Sequence, residues 1–282
     1  MATPKVWIVT GTSTGIGRVL TETLAEQGNS VVATARNTEK IADYTERFGE
    51  LVLPLKQDVN QSADNQRVVA DAMAHFGRID VLVNNAGYGL EGPLEELTME
   101  QVRQQMETNF FGLVEMSKRC IPHMRQQGSG CIFNISSIAG MRGFNGLSIY
   151  NASKFAVSGF SEAIRQELKP FGVRVSAVEP GPYRTDWAGR SMKHAQAMTQ
   201  DEENSPYAPL HKLLKERIDG FSGKQPGDPR QIANVLISAE QKDEIPAHMI
   251  FGDEAIEMWQ GKVTKHEDPT FIDFFPHNRH QL

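Results

Sequence analysis

With 282 residues, 39% hydrophobic and 23% charged, the chain has the composition of a soluble globular protein and the length of one large α/β domain or two small ones. The 29 basic and 35 acidic residues leave a net charge of −6 and no basic stripe, which argues against nucleic acid or an anionic membrane surface as partner. Two cysteines, Cys120 and Cys131, give no disulfide framework and no metal-ligand spacing, and both read as reduced, small apolar residues. No stretch approaches the ~18 apolar residues of a membrane span, and Val6–Val9 is too short for a signal segment. The expectation is a cytoplasmic protein without membrane insertion.

Short β-branched runs alternate with longer helical patterns. Val6–Thr10 reads as a strand and Gly15–Gln27 as a helix. Ser30–Thr34 is a second strand, followed by a helix ending near Phe48. Leu51–Leu55 is a third, despite the proline within it. Helix Ala63–Phe76 precedes strand Ile79–Val83, and one long helix spans about Thr98 to Met124. Strand Cys131–Ile135 leads to a helix running through Tyr150 to about Leu168. Val173–Val178 and His248–Phe251 complete about seven strands. Strands separated by helices of this length form parallel βαβ units, and near-continuous apolar strands are buried on both faces. The predicted fold is a single-domain, Rossmann-like α/β doubly wound parallel sheet with helices on both faces and its site at the carboxyl ends of the strands. The domain is expected over residues 1–255, with a substrate-lid insertion at about 184–226 and a polar, aromatic C-terminal extension over 256–282.

Strand one runs directly into Gly11-Thr12-Ser13-Thr14-Gly15-Ile16-Gly17 and then into a helix. Glycines permit close approach of backbone to a pyrophosphate, and a helix N-terminus supplies free N–H donors with a partial positive charge. The end of strand two carries Ala35-Arg36 where an NAD site usually places an acid for the ribose 2′-hydroxyl. A guanidinium there grips a 2′-phosphate, so NADP(H) is expected in preference to NAD(H). Tyr150 and Lys154 lie four apart on one helix face. An ammonium beside the phenol is expected to lower its pKa from about 10 toward neutrality and make it a proton donor and acceptor. Ser137, at the end of its strand, is placed to hold a carbonyl or alcohol oxygen against that phenol.

In this order the motifs resemble the short-chain dehydrogenase/reductase family, from Val6 to about Ala255: Thr10-Gly11-Thr12-Ser13-Thr14-Gly15-Ile16-Gly17, Asn84-Asn85-Ala86-Gly87, Asn109, Ser137, Tyr150-Asn151-Ala152-Ser153-Lys154 and Pro180-Gly181. The resemblance implies that Asp58, with Val59 beside it, bonds the adenine amino group. It implies that Asn85 lines the adenosine ribose and that Lys154 holds the nicotinamide ribose. Pro180, Gly181, Tyr183 and Thr185 would bracket the nicotinamide. Asn109 is similar to the family's helix-bending asparagine, whose carbonyl anchors a water that relays protons to the lysine. Segments such as Ala152–Ala156 and Pro170–Val173 also resemble hydroxysteroid and retinol dehydrogenases. Glu179 departs from the pattern, standing before the Pro-Gly pair where many members carry a small polar residue or asparagine.

The resemblance thus implies hydride transfer between a nicotinamide cofactor and a ketone or aldehyde, with Tyr150 as general acid/base, Ser137 steadying the oxygen, and Lys154 and Asn109 in support. Tyr88, Leu90, Met141, Phe144, Leu147, Tyr183, Trp187 and Met192 flank these motifs and suggest a hydrophobic small-molecule carbonyl or alcohol. No histidine has metal-ligand spacing; His75, His123 and His194 are assigned to solvated faces, and no metal is needed. A homodimer or homotetramer is implied by the family alone. One rival is a nucleotide-sensing protein of this fold without turnover, but such proteins usually lose the tyrosine or lysine. A second is an epimerase or dehydratase of the extended branch, which usually carries G-x-x-G-x-x-G and a larger C-terminal domain.

Overall fold

The computed structural model describes residues 4–185, 191–196, 198, 204–221 and 225–264. Its strands are β1 (Val6–Val9), β2 (Ser30–Ala35), β3 (Val52–Lys56), β4 (Val81–Asn84), β5 (Gly89–Glu91), β6 (Gly130–Ile135), β7 (Val173–Pro180), β8 (Met192–His194) and β9 (His248–Phe251). Seven of them form one parallel sheet in the order β3-β2-β1-β4-β6-β7-β9. The order reverses between β1 and β4, which opens a crevice beyond the strands' carboxyl ends. Pro54 is tolerated because β3 is an edge strand, where a missing N–H breaks no central ladder.

The helices are α1 (Gly15–Glu26), α2 (Asp43–Phe48), α3 (Ser62–Phe76), α4 (Met99–Met106), α5 (Gly112–Gln127), α6 (Ser148–Leu168), α7 (Ala208–Phe221), α8 (Pro229–Glu240) and α9 (Asp253–Thr264). Alternation along β1 divides the core. Trp7 and Val9 pack with Leu20, Leu24, Tyr44, Ile232 and Leu236 from α1, α2 and α8. Ile8 faces the opposite layer, with Val68, Met116, Cys120, Ile164 and Leu168 from α3, α5 and α6. Burying each of these large apolar side chains contributes roughly 1.5–3 kcal/mol. Both cysteines are buried and unbridged, and burial pushes each thiol up to about 12.

Three features differ from expectation. The long helix is interrupted at Glu107–Phe111 by a π turn, with Asn109 inside it. Thr98 starts α4 with a reciprocal capping box to Gln101. The predicted lid region contains structure of its own. β8 pairs in parallel with β5, and α7 follows. The expected boundary at residue 255 falls inside α9, where Ala255 is fully buried, and residues 256–264 continue that helix, with Met258 packed against the cluster of Ile138, Met141 and Ala255. Residues 265–282 lie outside the described residues.

Candidate active site

Successive strand ends converge on one cavity of about 660 Å³. After β1 come Gly11 and Ser13–Ile16; after β2, Arg36; after β3, Gln57–Val59; after β4, Asn85–Tyr88; after β6, Ser136–Ala139; after β7, Gly181–Tyr183 and Thr185. The parallel topology itself assembles this crevice, because every strand releases its following loop at the same edge.

The glycine loop is held from the opposite side of the switch point. Asn85 Nδ2 donates to the Thr10 and Gly11 carbonyls at 2.8 and 3.0 Å. The same loop is fixed from Thr10 Oγ1, which accepts from the Asn85 and Ala86 N–H groups at 3.0 Å each. Gly11 and Gly15 take φ of +72° and +59°, which side chains rarely adopt. A Cβ on Gly17 would lie 2.4 Å from Asn85 Nδ2 and 2.5 Å from the Gly11 carbonyl oxygen. Asn85 therefore braces the loop as well as lining the cavity.

The N-terminus of α1 opens toward this space. Its N-cap, Thr14, makes no side-chain capping hydrogen bond, and its first turn holds no acidic residue. The N-cap side chain thus does not occupy the first N–H groups of the helix, and the cradle suits a pyrophosphate. Thr185 stands over Gly15, 3.5 Å from where a Cβ would sit. Further along, Asp58 and Val59 line the wall, and Arg36 is exposed at the rim with Lys40 from the 3₁₀ turn Thr38–Ile41. These residues fit a dinucleotide.

Two of the expected cofactor residues do not line the cavity. Thr12 is fully buried, its N–H and Oγ1 both donating to the Thr34 carbonyl at 2.8 and 3.2 Å. It ties the loop to β2. Gly17 lies beneath the loop and serves the close packing described above.

At the other end, Ser137, Tyr150 and Lys154 are brought together. The phenol of Tyr150 hydrogen-bonds the Ser137 hydroxyl. Ser137 Oγ also accepts from the Ala139 N–H at 3.1 Å. Lys154 Nζ donates to the Ile135 carbonyl at 2.7 Å and lies 5.8 Å from the Tyr150 ring centroid. A phenol lowered toward neutrality is not found. Burial pushes Tyr150 up to about 12, opposed by the Ser137 hydrogen bond, and burial brings Lys154 down to about 8. Desolvation of each enclosed group sets the direction of both shifts. The phenol is consequently held protonated at neutral pH.

Asn109 is 1% exposed and does not line the cavity. Its Oδ1 accepts from the Tyr88 N–H at 3.0 Å, while Nδ2 donates to the Tyr88 carbonyl at 2.9 Å and to Ser153 Oγ at 3.1 Å. The π turn aims this amide at the loop after β4, next to Gly87, where a Cβ would lie 3.7 Å from Lys154 Nζ. Asn151 braces the neighbouring loop, donating to the Ala139 carbonyl at 2.8 Å and to that of Arg142.

Tyr88, Phe144, Leu147, Tyr183 and Met192 line the remaining space, as expected of substrate-facing residues. Leu90 instead packs in the core with Leu97 and Ala195, and Met141 packs against Ile138 and Ala255. Trp187 lies outside the described residues. Glu91, Lys193, Arg217 and Met258 were not anticipated at the wall. Glu91 is fully buried and accepts from Arg217 Nη2 at 2.7 Å, with His194 Nδ1 at 3.4 Å from its other oxygen. His194 is therefore beside a buried acid and not simply solvated. On α7, His211 Nε2 lies 2.6 Å from Glu96 and Arg217 reaches Glu91, so that helix is fastened to the segment after β4. Among the described residues, no cluster of histidine, cysteine or carboxylate has metal-site geometry.

Comparison with known proteins agrees with this architecture. Residues 5–196 match the profile of the family described as short chain dehydrogenase. An oxidoreductase from Botryotinia fuckeliana, BOA17, is 38% identical over 262 residues, covering 93% of each chain. A 3-ketodihydrosphingosine reductase from Bacteroides thetaiotaomicron is 38% identical over 225 residues, 79% of this chain and 81% of its own. The crystal structure of a short-chain dehydrogenase from Streptomyces avermitilis superposes with a TM-score of 0.83 at 34% identity, covering 93% of both chains.

Proposed function

The chain is a member of the short-chain dehydrogenase family, and we propose from that premise that it is an NADP(H)-dependent reductase of hydrophobic ketones or aldehydes, run in reverse on the corresponding alcohols. The observation that carries this reading is the contact between Tyr150 and Ser137 on the wall of a cavity continuous with the glycine loop. When bound, the nicotinamide supplies or accepts the hydride. Ser137 and Tyr150 hydrogen-bond the substrate oxygen, and the phenol gives that oxygen its proton as negative charge builds there. Lys154, fixed by the Ile135 carbonyl, holds the ribose and stands in the proton route behind the phenol. Asn109 keeps the loop after β4 and the turn at Ser153 in register with them. An apolar substrate is supported by Tyr88, Phe144, Leu147 and Met192, and the name of the Bacteroides relative points the same way, toward a lipid-like ketone. A panel of steroid, retinoid, aliphatic and aryl ketones, assayed with NADPH and NADH at the reduced-cofactor absorbance, tests the whole reading. Activity confined to small polar carbonyls overturns the substrate class.

The preference for NADP(H) rests on Arg36 and Lys40 at the rim beyond β2, with no carboxylate at the end of that strand. A charge-assisted hydrogen bond contributes about 1.5–3 kcal/mol. Arg36→Asp is therefore expected to weaken NADPH, relative to NADH, by roughly 10–100-fold in kcat/KM. An unchanged ratio overturns the phosphate assignment.

Assembly into a homodimer or homotetramer belongs to the same proposal. It is supported by Met99, Phe111 and Phe155, exposed apolar side chains on or beside α4, α5 and α6. Sedimentation equilibrium should show at least a dimer, and Phe155→Asp should shift it toward monomer. A wild-type protein that sediments as a monomer overturns this part.

A further inference from the structure

Glu179 occupies the penultimate position of β7, and it is fully buried. A buried carboxylate costs several kcal/mol unless paired and hydrogen-bonded. Its partners run in two directions. Toward the outside, His248 Nδ1 lies 3.1 Å from both Glu179 oxygens, and the other ring nitrogen lies 3.0 Å from Glu162 on α6. Toward the inside, Ser158 Oγ donates to Glu179 Oε1 at 2.8 Å. The Ser136 and Ser158 hydroxyl oxygens lie 2.9 Å apart, and Ser136 Oγ lies 3.0 Å from the Lys154 carbonyl oxygen; with the Ser158 proton given to Glu179, the single Ser136 proton is shared between Ser158 and that carbonyl. Ser136 adjoins Ser137, so the chain of contacts ends on the backbone carrying all three reactive side chains. Gly140 seals it, since a Cβ there would lie 2.4 Å from Ser136 Oγ.

An imidazole with a carboxylate at each nitrogen satisfies both only as a double donor, that is, as imidazolium. A neutral ring would turn a lone pair toward one of the acids. The charged groups acting on His248 are Glu179 from β7 and Glu162 from α6. Arg165, one turn along α6, is directed instead to the Val175 and Ile245 carbonyls. On this geometry, and resting on the reductase reading above, we infer that Glu179 and His248 are positioning residues for the reaction: an imidazolium–carboxylate pair beneath the catalytic helix that fixes Ser137, Tyr150 and Lys154 through Ser158 and Ser136. The raised His248 pKa, caused first by its hydrogen bond to Glu179, accords with this. Its sign sets the window. The contribution is complete below the ordinary histidine value of about 6.5 and is lost as pH rises through the raised folded-state value.

Three measurements on the full-length chain test the inference. Glu179→Ala should lower kcat about tenfold with less than about threefold change in KM for the carbonyl substrate, because misplacement is felt mainly in the reacting geometry. Glu179→Gln, which keeps an acceptor for Ser158, should recover part of that loss. The ratio of wild-type to His248→Asn kcat should be about tenfold at pH 6.5 and converge toward one above the raised pKa; a ratio independent of pH overturns the pair. NMR titration of ring-labelled histidine, with His248 assigned by its loss in His248→Asn, should give a raised pKa in wild type that falls in Glu179→Gln. An ordinary titration overturns the inference without reference to turnover. Should no carbonyl be reduced, the thermal shift on adding NADPH reads the same placement. A shift diminished in Glu179→Ala then supports the pair and leaves only the reductase reading overturned, and an undiminished shift overturns both.

Discussion

Tyr150→Phe is expected to lower kcat by about 10³-fold or more while leaving cofactor affinity within about threefold. The phenol is 5% exposed, and its oxygen meets Ser137, so removing it takes away that contact and leaves the ring's packing with Ala139, Leu147 and Met192. General acid–base catalysis by a placed side chain contributes 10²–10⁴-fold, and phenylalanine has no proton to give. Ser137 remains, but with an ordinary hydroxyl. Cofactor titration by fluorescence and steady-state kinetics on the same preparation separate the two effects. Retained turnover would remove Tyr150 from the mechanism, and the proposed reaction with it.

Lys154→Met should abolish turnover and yet raise the thermal stability of the cofactor-free protein at neutral pH. The ammonium is 6% exposed, and burial lowers its pKa from 10.5 to about 8. A shift of that size corresponds to roughly 3 kcal/mol that the folded state gives up by enclosing the charge. The sign follows directly. Below pH 8 lysine is protonated in both folded and unfolded chains, and the whole cost is present. Between about 8 and 10.5 the unfolded chain binds more protons, so wild-type stability rises with pH. Methionine removes the charge at similar volume but leaves the Ile135 carbonyl without its 2.7 Å donor, which costs about 1–3 kcal/mol. The expected net gain is at most about 2 kcal/mol, a few degrees in Tm, and it vanishes near pH 10. Calorimetry at pH 7 and pH 10 checks it; a variant less stable than wild type at both would mean the site carries no such penalty.

Much of the fold was legible because parallel sheets write long apolar strands at regular intervals, and all seven strands lie where the sequence placed them. The catalytic trio was legible for a different reason. Tyr150 and Lys154 share a helix face by spacing alone, and Ser137 ends a strand. What escaped depended on pairing in space. β5 and β8 are three residues each, too short to show a period, and their parallel pairing brings Glu91 and Lys193 to the wall, where Arg217 of α7 meets Glu91. Lys40 sits on a 3₁₀ turn without a hydrophobic pattern. Thr12 resembles its neighbours in the glycine loop, but its N–H and hydroxyl both donate to the Thr34 carbonyl of β2. The phenol's acidity is not legible, because spacing reports proximity and says nothing of burial, and burial is the larger influence on Tyr150. Glu179 stood out only as an exception in its motif; its partner His248 lies 69 residues away and on a neighbouring strand.

The amide braces have one more implication. Asn85 ties the glycine loop, Asn109 ties the loop at Tyr88, and Asn151 ties the turn after Ser137, each through two or three hydrogen bonds to backbone. A pocket so stiffened has its shape in advance of any visitor. An incoming molecule therefore surrenders its own freedom but demands little ordering from the host, and more of its contact energy emerges as affinity. Rigid scaffolding of this kind also leaves discrimination among substrates to the residues that β8 and α7 add above it.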